Sequence, residues 1–324
     1  MSERTIDIDL LERFEQGLDP IHPEDSKIPA KVIGYGEIST IFEIQDPSLN
    51  GWAIKRLPIF RSLSEVEQYE EIYIEYNSFL KDKVGIDVPE FTCARVIPED
   101  GNIVVFDVQK KLPPESIGHK AIHILDNKGI AIFMEVVLRE LKKVWTFNKA
   151  NKDIQVGIDG QISNWAIKTF DIKNPYIDLN TQLYYIDTST PFIRKEGQEQ
   201  LNPELFLRSA PSFLVWLVRW LFLEDVMTRY YDFHLVVVDL IANLYKEQRP
   251  DLVSGLIDVA NRFFATEVPE LGIAPITQKE ARSYYREDAM IWRIYLALRR
   301  LDRFIYTKIL RKPYVYILPG KIKR

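Results

Sequence analysis

A single cysteine, Cys93, stands in 324 residues, which excludes an internal disulfide framework and a multi-cysteine zinc site. One thiol fits a reducing compartment, and the cytoplasm is the expected location. Histidine is also scarce, at four residues. His119 and His123 have the i, i+4 spacing of a helical metal pair, but HKAIH lacks the internal glutamate of a zinc protease and no third ligand is evident. His234 reads as a packing or capping residue, and no Gly-x-Ser-x-Gly elbow occurs. Long apolar runs are missing too. The longest, Phe213 to Leu223, has 11 residues and is interrupted by Arg219. A spanning helix needs roughly 20 apolar residues, so this run reads as a buried helix and no transmembrane segment is expected. The opening MSERTIDIDLLERF has no basic stretch followed by an apolar one, so no secretory signal is expected. Internal repeats and low-complexity stretches are absent.

What remains is an ordinary globular composition, 46% hydrophobic and 27% charged, long enough for one large domain or two modest ones. The net charge of −5 is unevenly spread. Residues 281–324 hold 12 Lys/Arg against 3 Asp/Glu, a local charge of +9 that leaves the rest at −14. Such an end reads as a solvated basic face, or as an attractor of an anionic partner such as phosphate, lipid or nucleic acid.

Residues 5–17 suit an amphipathic helix with Ile6, Leu10, Leu11 and Phe14 on one side. Strands are expected at 38–45 and 52–57 around the turn DPSLNG, and at 91–97 and 102–109 around PEDG. A helix is expected over 64–81, with Ser64 as N-cap and Glu67 completing a capping box. After KLPPES, at 111–116, the balance shifts to helices at 129–148, 203–208, 211–230, 232–247, 250–264 and 277–310, with short strands at 163–169 and 182–186. This order predicts an α+β fold of two lobes: a small β-rich lobe over 1–109 and a larger helical lobe over 110–324.

Two segments carry the strongest chemical signal. VGIDGQISNW sets Asp159 and Asn164 five positions apart, and LYYIDTSTP places Asp187 at the end of a β-prone run. A carboxylate that can orient a hydroxyl, an amide oxygen that can ligate a hard cation and a second strand-end carboxylate form the pattern of a phosphoryl-transfer site. Asp-Gly is also a common turn dipeptide, and Asp187 also suits a turn or a cap. Upstream, VIGYGEISTIFEI offers Gly34 and Gly36, with Ser39 where a third glycine might stand. Such a loop either cradles phosphate or closes a tight hairpin. Lys55 in WAIKRL is either an exposed strand lysine or a phosphate-contacting one held by a glutamate. Glu75 is the expected partner, and Glu71, one turn earlier, the alternative.

The order Gly loop, strand Lys, helix Glu, Asp-x4-Asn, strand-end Asp resembles the protein-kinase-like superfamily. The likeness is closest to its small-molecule branch, the aminoglycoside and choline phosphotransferases, and EYNSFLKDKVGIDVPEF is similar to that branch's helix-loop-strand entry. The resemblance covers about residues 30–190 and implies a two-lobed kinase-like fold with ATP between the lobes. It further implies Gly34, Gly36 and Ser39 over the phosphates, Lys55 on them oriented by Glu75, Asn164 and Asp187 on Mg²⁺, and Asp159 toward a small-molecule hydroxyl acceptor. Two positions depart from the family: Gly157 replaces the usual histidine two residues before the catalytic aspartate, and Thr188-Ser189-Thr190-Pro191 follows Asp187. The alternative they raise is a catalytically impaired pseudokinase or nucleotide-binding scaffold.

Overall fold

The structure, a computed structural model, describes residues 6–36, 38–98, 103–208 and 228–320. The chain opens with α1, Ile8–Gln16, capped by the Asp7 side chain, which accepts from Leu10 N. Its Leu10, Leu11 and Phe14 are buried, each burial stabilising by about 1.5–3 kcal/mol. They pack on one face of a five-stranded antiparallel sheet made of β1 (Ala30–Tyr35), β2 (Thr40–Ile44), β3 (Trp52–Phe60), β4 (Phe91–Val96) and β5 (Ile103–Lys110), in the order β1-β2-β3-β5-β4. Alternation sorts β5 cleanly: Val104, Phe106 and Val108 join the α1 side, while Ile103 and Val105 join the other. That other face is covered by α2, Leu63–Ser78, through Val66, Tyr69 and Tyr73. The turn expected between β4 and β5 lies outside the described residues.

α2 begins two residues earlier than the sequence suggested. Ser62, not Ser64, is the N-cap, and its side chain accepts from Glu65 N at 3.3 Å. The helix loosens into a π-turn at Phe79–Val84 and stops at Gly85, which takes the left-handed φ of 80° that glycine adopts without strain.

The helical lobe is built on α4, Asn127–Ala150, reached through the short α3, Gly118–Ala121. Around α4 pack α6 (Phe233–Lys246) and α7 (Val253–Glu267) in one continuous core. Short strands β6 (Ile154–Val156), β7 (Trp165–Ile167), β8 (Leu183–Tyr185), β9 (Ile193–Lys195) and β10 (Gln198–Glu199) form two small sheets facing the large one. α5 spans Glu204–Leu207, and most of the helix expected over 211–230 lies outside the described residues. α8, Gln278–Phe304, starts with a full capping box of Thr277 and Glu280. His234 ties α6 to α8, with Nε2 at 2.7 Å from Glu280 Oε1, in keeping with a packing role. The whole is an α+β fold of two lobes, β-rich then helical.

The basic C-terminal stretch forms no strand over its described residues, which end at 320. It runs back over the β-rich lobe. Arg56 on β3, salt-bridged to Glu15 of α1, donates to the Val315 carbonyl at 2.7 Å. Ile317 enters the core beneath α1, and Tyr316 packs on the α2 side.

Candidate functional site: a cleft between sheet and helices

Lys55 and Asp187 meet across the two lobes. Their Nζ and Oδ1 are 2.7 Å apart, and Ser189 Oγ also contacts the ammonium. They come together because β3 carries Lys55 on its α2 face and β8 ends just before Asp187, where Tyr185 N donates to the Asp87 carbonyl at 2.9 Å. Burial works against the Asp187 charge, but Lys55 and the Ser189 hydroxyl hold its carboxyl below the ordinary value.

Glu75 does not hold Lys55. It pairs with Lys195 of β9 at 2.7 Å. The sheet carboxylate that faces Lys55 is Asp107, directly opposite it in the β3–β5 register; cross-strand neighbours necessarily share a face. Asp107 is 3% exposed. The Tyr69 hydroxyl from α2 lies 2.7 Å from its Oδ2 and 3.0 Å from the Ser189 carbonyl. Burial pushes the Asp107 carboxyl up to about 7, against the pull of Tyr69 and Lys55. The signal that finds it is a lone acid in the apolar run IVVFDVQK.

The residues after Asp187 have structural work. Thr188 is fully buried and accepts from Gln109 Nε2 at 2.9 Å. Ser189 joins Lys55, Asp187 and Tyr69. Threonine and serine at these positions therefore tie the end of β8 to the large sheet.

Asp159 sits in a loop pinned from several sides. Its carboxylate accepts from Gln161 N at 3.1 Å, and Asn164 Nδ2 donates to its carbonyl at 3.3 Å. Asn164 in turn accepts at its carbonyl from Ile186 N, one residue before Asp187. The loop and the strand end are thus joined, although no direct contact links the Asn164 and Asp187 side chains. Gly157 leaves no room for the histidine of the family. A Cβ there would lie 3.0 Å from Phe192 Cβ and 3.1 Å from the Tyr230 carbonyl. Tyr76 of α2 fixes this stretch instead, donating to the Gly157 carbonyl at 2.9 Å.

Burial pushes the Asp159 carboxyl up to about 7, helped by the negative charges of Asp239 and Asp187. Asp239 was not singled out by the sequence; it too is an isolated acid, in FHLVVVDLIANLYK. It begins a polar stripe on α6 with Asn243 and Lys246, at i, i+4 and i+7. All three reach Gln161: its Nε2 is 3.3 Å from Asp239 Oδ2, while Asn243 Nδ2 and Lys246 Nζ donate to its Oε1 at 3.1 and 3.2 Å.

Gly34, Gly36 and Ser39 lie in the β1–β2 hairpin, where Gly36 N donates to the Ser39 carbonyl at 3.0 Å. This closes a tight turn. The β2–β3 register sets Ile41, two residues past Ser39, opposite Lys55. The glycine loop and the cleft lysine therefore sit close together.

Comparison with known proteins adds little on chemistry. No curated protein matches the sequence. Among solved structures, the GDP complex of wild-type aminoglycoside 2'-phosphotransferase-IIIa is similar at 12% identity and a TM-score of 0.31, over 75% of this chain and 95% of that one. The GDP complex of a point mutant of that enzyme gives 12% and 0.31 over 74% and 94%. A family model, described as a family of unknown function, matches residues 23–303. With a match over most of its length, the chain belongs to the DUF6206 family.

Proposed function

We propose that the protein is a kinase-like phosphotransferase that uses ATP and Mg²⁺ to phosphorylate a hydroxyl group on a small molecule. The observation that carries this reading is the Lys55–Asp187 pair across the cleft, with the Asp159 loop joined to the same strand end. In this reading Lys55 contacts the α- and β-phosphates, under the hairpin of Gly34, Gly36 and Ser39. Asp159 orients the acceptor hydroxyl, and a carboxyl raised to about 7 is placed to take its proton near neutral pH. Tyr76 and Gln161 hold that loop, and positioning of this kind supplies most of the catalysis in phosphoryl transfer.

The residues present fit a hard divalent cation. Asn164 spends its amide NH₂ on the Asp159 carbonyl, and its Oδ1 accepts only a long hydrogen bond, from Ser163 Oγ at 3.5 Å, among the described residues. The mutual repulsion that raises Asp159 is also relieved by a cation. Asn164 and Asp187 are the residues that would hold Mg²⁺, which when bound screens the phosphate charge.

The test is thermal unfolding with ATP in the presence and absence of Mg²⁺. Stabilisation by ATP that requires Mg²⁺, and that is lost in Asp187→Ala, is expected; no nucleotide response overturns the reading. One observation favours a second reading, a nucleotide-binding scaffold without turnover: the helix glutamate of the family pattern is committed to Lys195. Nucleotide binding without ATP hydrolysis above the buffer rate would select it.

A further inference from the structure

The outward face of α8 carries an apolar stripe that nothing in the described fold covers. Met290, Ile294, Leu301, Phe304, Ile309 and Leu310 are 46–64% exposed. The first four fall within an arc of about 80° at 3.6 residues per turn. The opposite face of the same helix is the buried one, with Ala281, Ala289, Leu296 and Arg299 turned inward. Solvent-facing apolar residues scattered singly need no explanation, but an aligned set does.

Charge around the stripe is sorted by sign. Arg286, Arg293 and Arg300 are exposed and recur every seven residues, so they form a row along one edge of it. Lys308 and Arg311 continue the exposed positive charge past the helix end. Of the three acids in residues 281–324, Asp302 is buried and Asp288 acts on the buried Asp239; Glu287 is exposed. Arg300 also donates to the Gly320 carbonyl at 3.1 Å, and three more cations, Lys321, Lys323 and Arg324, follow that glycine in the sequence.

An apolar stripe edged by cations is the pattern of a helix that lies on a negatively charged membrane. No helix among the described residues is long and apolar enough to cross one. A second copy packed through this same helix face would bring the same arginine row and no complementary charge. We infer that the outer face of α8 docks on an anionic lipid surface, with Ile294, Leu301 and Phe304 entering the headgroup region and the Arg286, Arg293 and Arg300 row on the lipid phosphates. This surface is distinct from the cleft and does not depend on what the cleft does.

The test is co-sedimentation of the full chain with vesicles of phosphatidylglycerol and of phosphatidylcholine. Binding to the anionic vesicles that weakens with salt is expected. Removing two charges in Arg286→Ala/Arg293→Ala should lower the partition coefficient about thirtyfold. Ile294→Ser/Phe304→Ser should also release the protein, with its melting temperature unchanged because both side chains are exposed. Equal binding to both vesicle types, no binding to either, or wild-type binding by both variants overturns the inference. So does a concentration-dependent dimer that the Ile294→Ser/Phe304→Ser variant abolishes.

Discussion

The two walls of the cleft are built by different means. The helical wall holds Asp159, Asn164 and Asp187 on neighbouring backbone segments joined by hydrogen bonds. The sheet wall sets Asp107 of the adjacent strand opposite Lys55, whose ion pair is with Asp187, while the helix glutamate turns to Lys195. A strand neighbour is fixed by backbone register. A helix partner depends on how the helix rotates about its axis, and in α2 that rotation is set by Tyr69, Tyr73 and Tyr76, which fill the inward stripe. Glu75 is left on the rim.

The largest expected effect tests the helical wall. Asp159→Ala should lower turnover by about 10²–10⁴-fold while ATP binding stays close to wild type. Unchanged turnover in a steady-state assay would remove Asp159 from the mechanism. The sheet wall is tested by a pair of variants. Asp107→Asn removes the buried carboxylate that holds the Tyr69 hydroxyl against Ser189 and should raise the KM for ATP about tenfold or more. Glu75→Gln breaks only a half-exposed pair and should leave KM as it is; the opposite ranking would restore the helix glutamate as the lysine's partner.

Gly157 marks where the walls lock together. Gly157→Ala forces a Cβ against Phe192 and Tyr230 and should cost about 1–3 kcal/mol, read by denaturant unfolding. Full stability there would mean the loop relaxes freely. The last effect is on pH dependence. The folded Asp107 carboxyl is raised from 3.8 to about 7, so between those values the unfolded chain has lost a proton that the folded one keeps. Stability therefore falls as pH rises across that window and levels off above it, with a slope of at most about 1.4 kcal/mol per pH unit for one proton. Asp107→Asn should flatten that slope; an unaltered slope would mean Asp107 titrates normally.

Much of this was legible from local pattern. Alternation in β3 and β5 and the apolar periodicity of α4 mark their elements because each buries one face. Asp159, Asn164 and Asp187 were legible because they are close along the chain to the segments that present them. Asp107 and Asp239 were not, because their roles arise from partners in other elements, although each stands as a single acid in an apolar run. The contact of Glu75 with Lys195 spans 120 positions, and no local rule reaches that far.

The fold also has an order in time. The β-rich lobe is first in the chain, yet its core beneath α1 includes Ile317, and Arg56 waits for the Val315 carbonyl. About 200 residues separate these from the end of β5, and at ~5–20 residues per second of synthesis the ribosome needs roughly 10–40 s to make them. Throughout that interval the nascent lobe presents an unfinished apolar surface. Its completion therefore waits for the segment around Val315 to be made, and a chain stopped shortly before Val315 would leave the β-rich lobe, not the helical one, as the part exposed to chaperones and proteases.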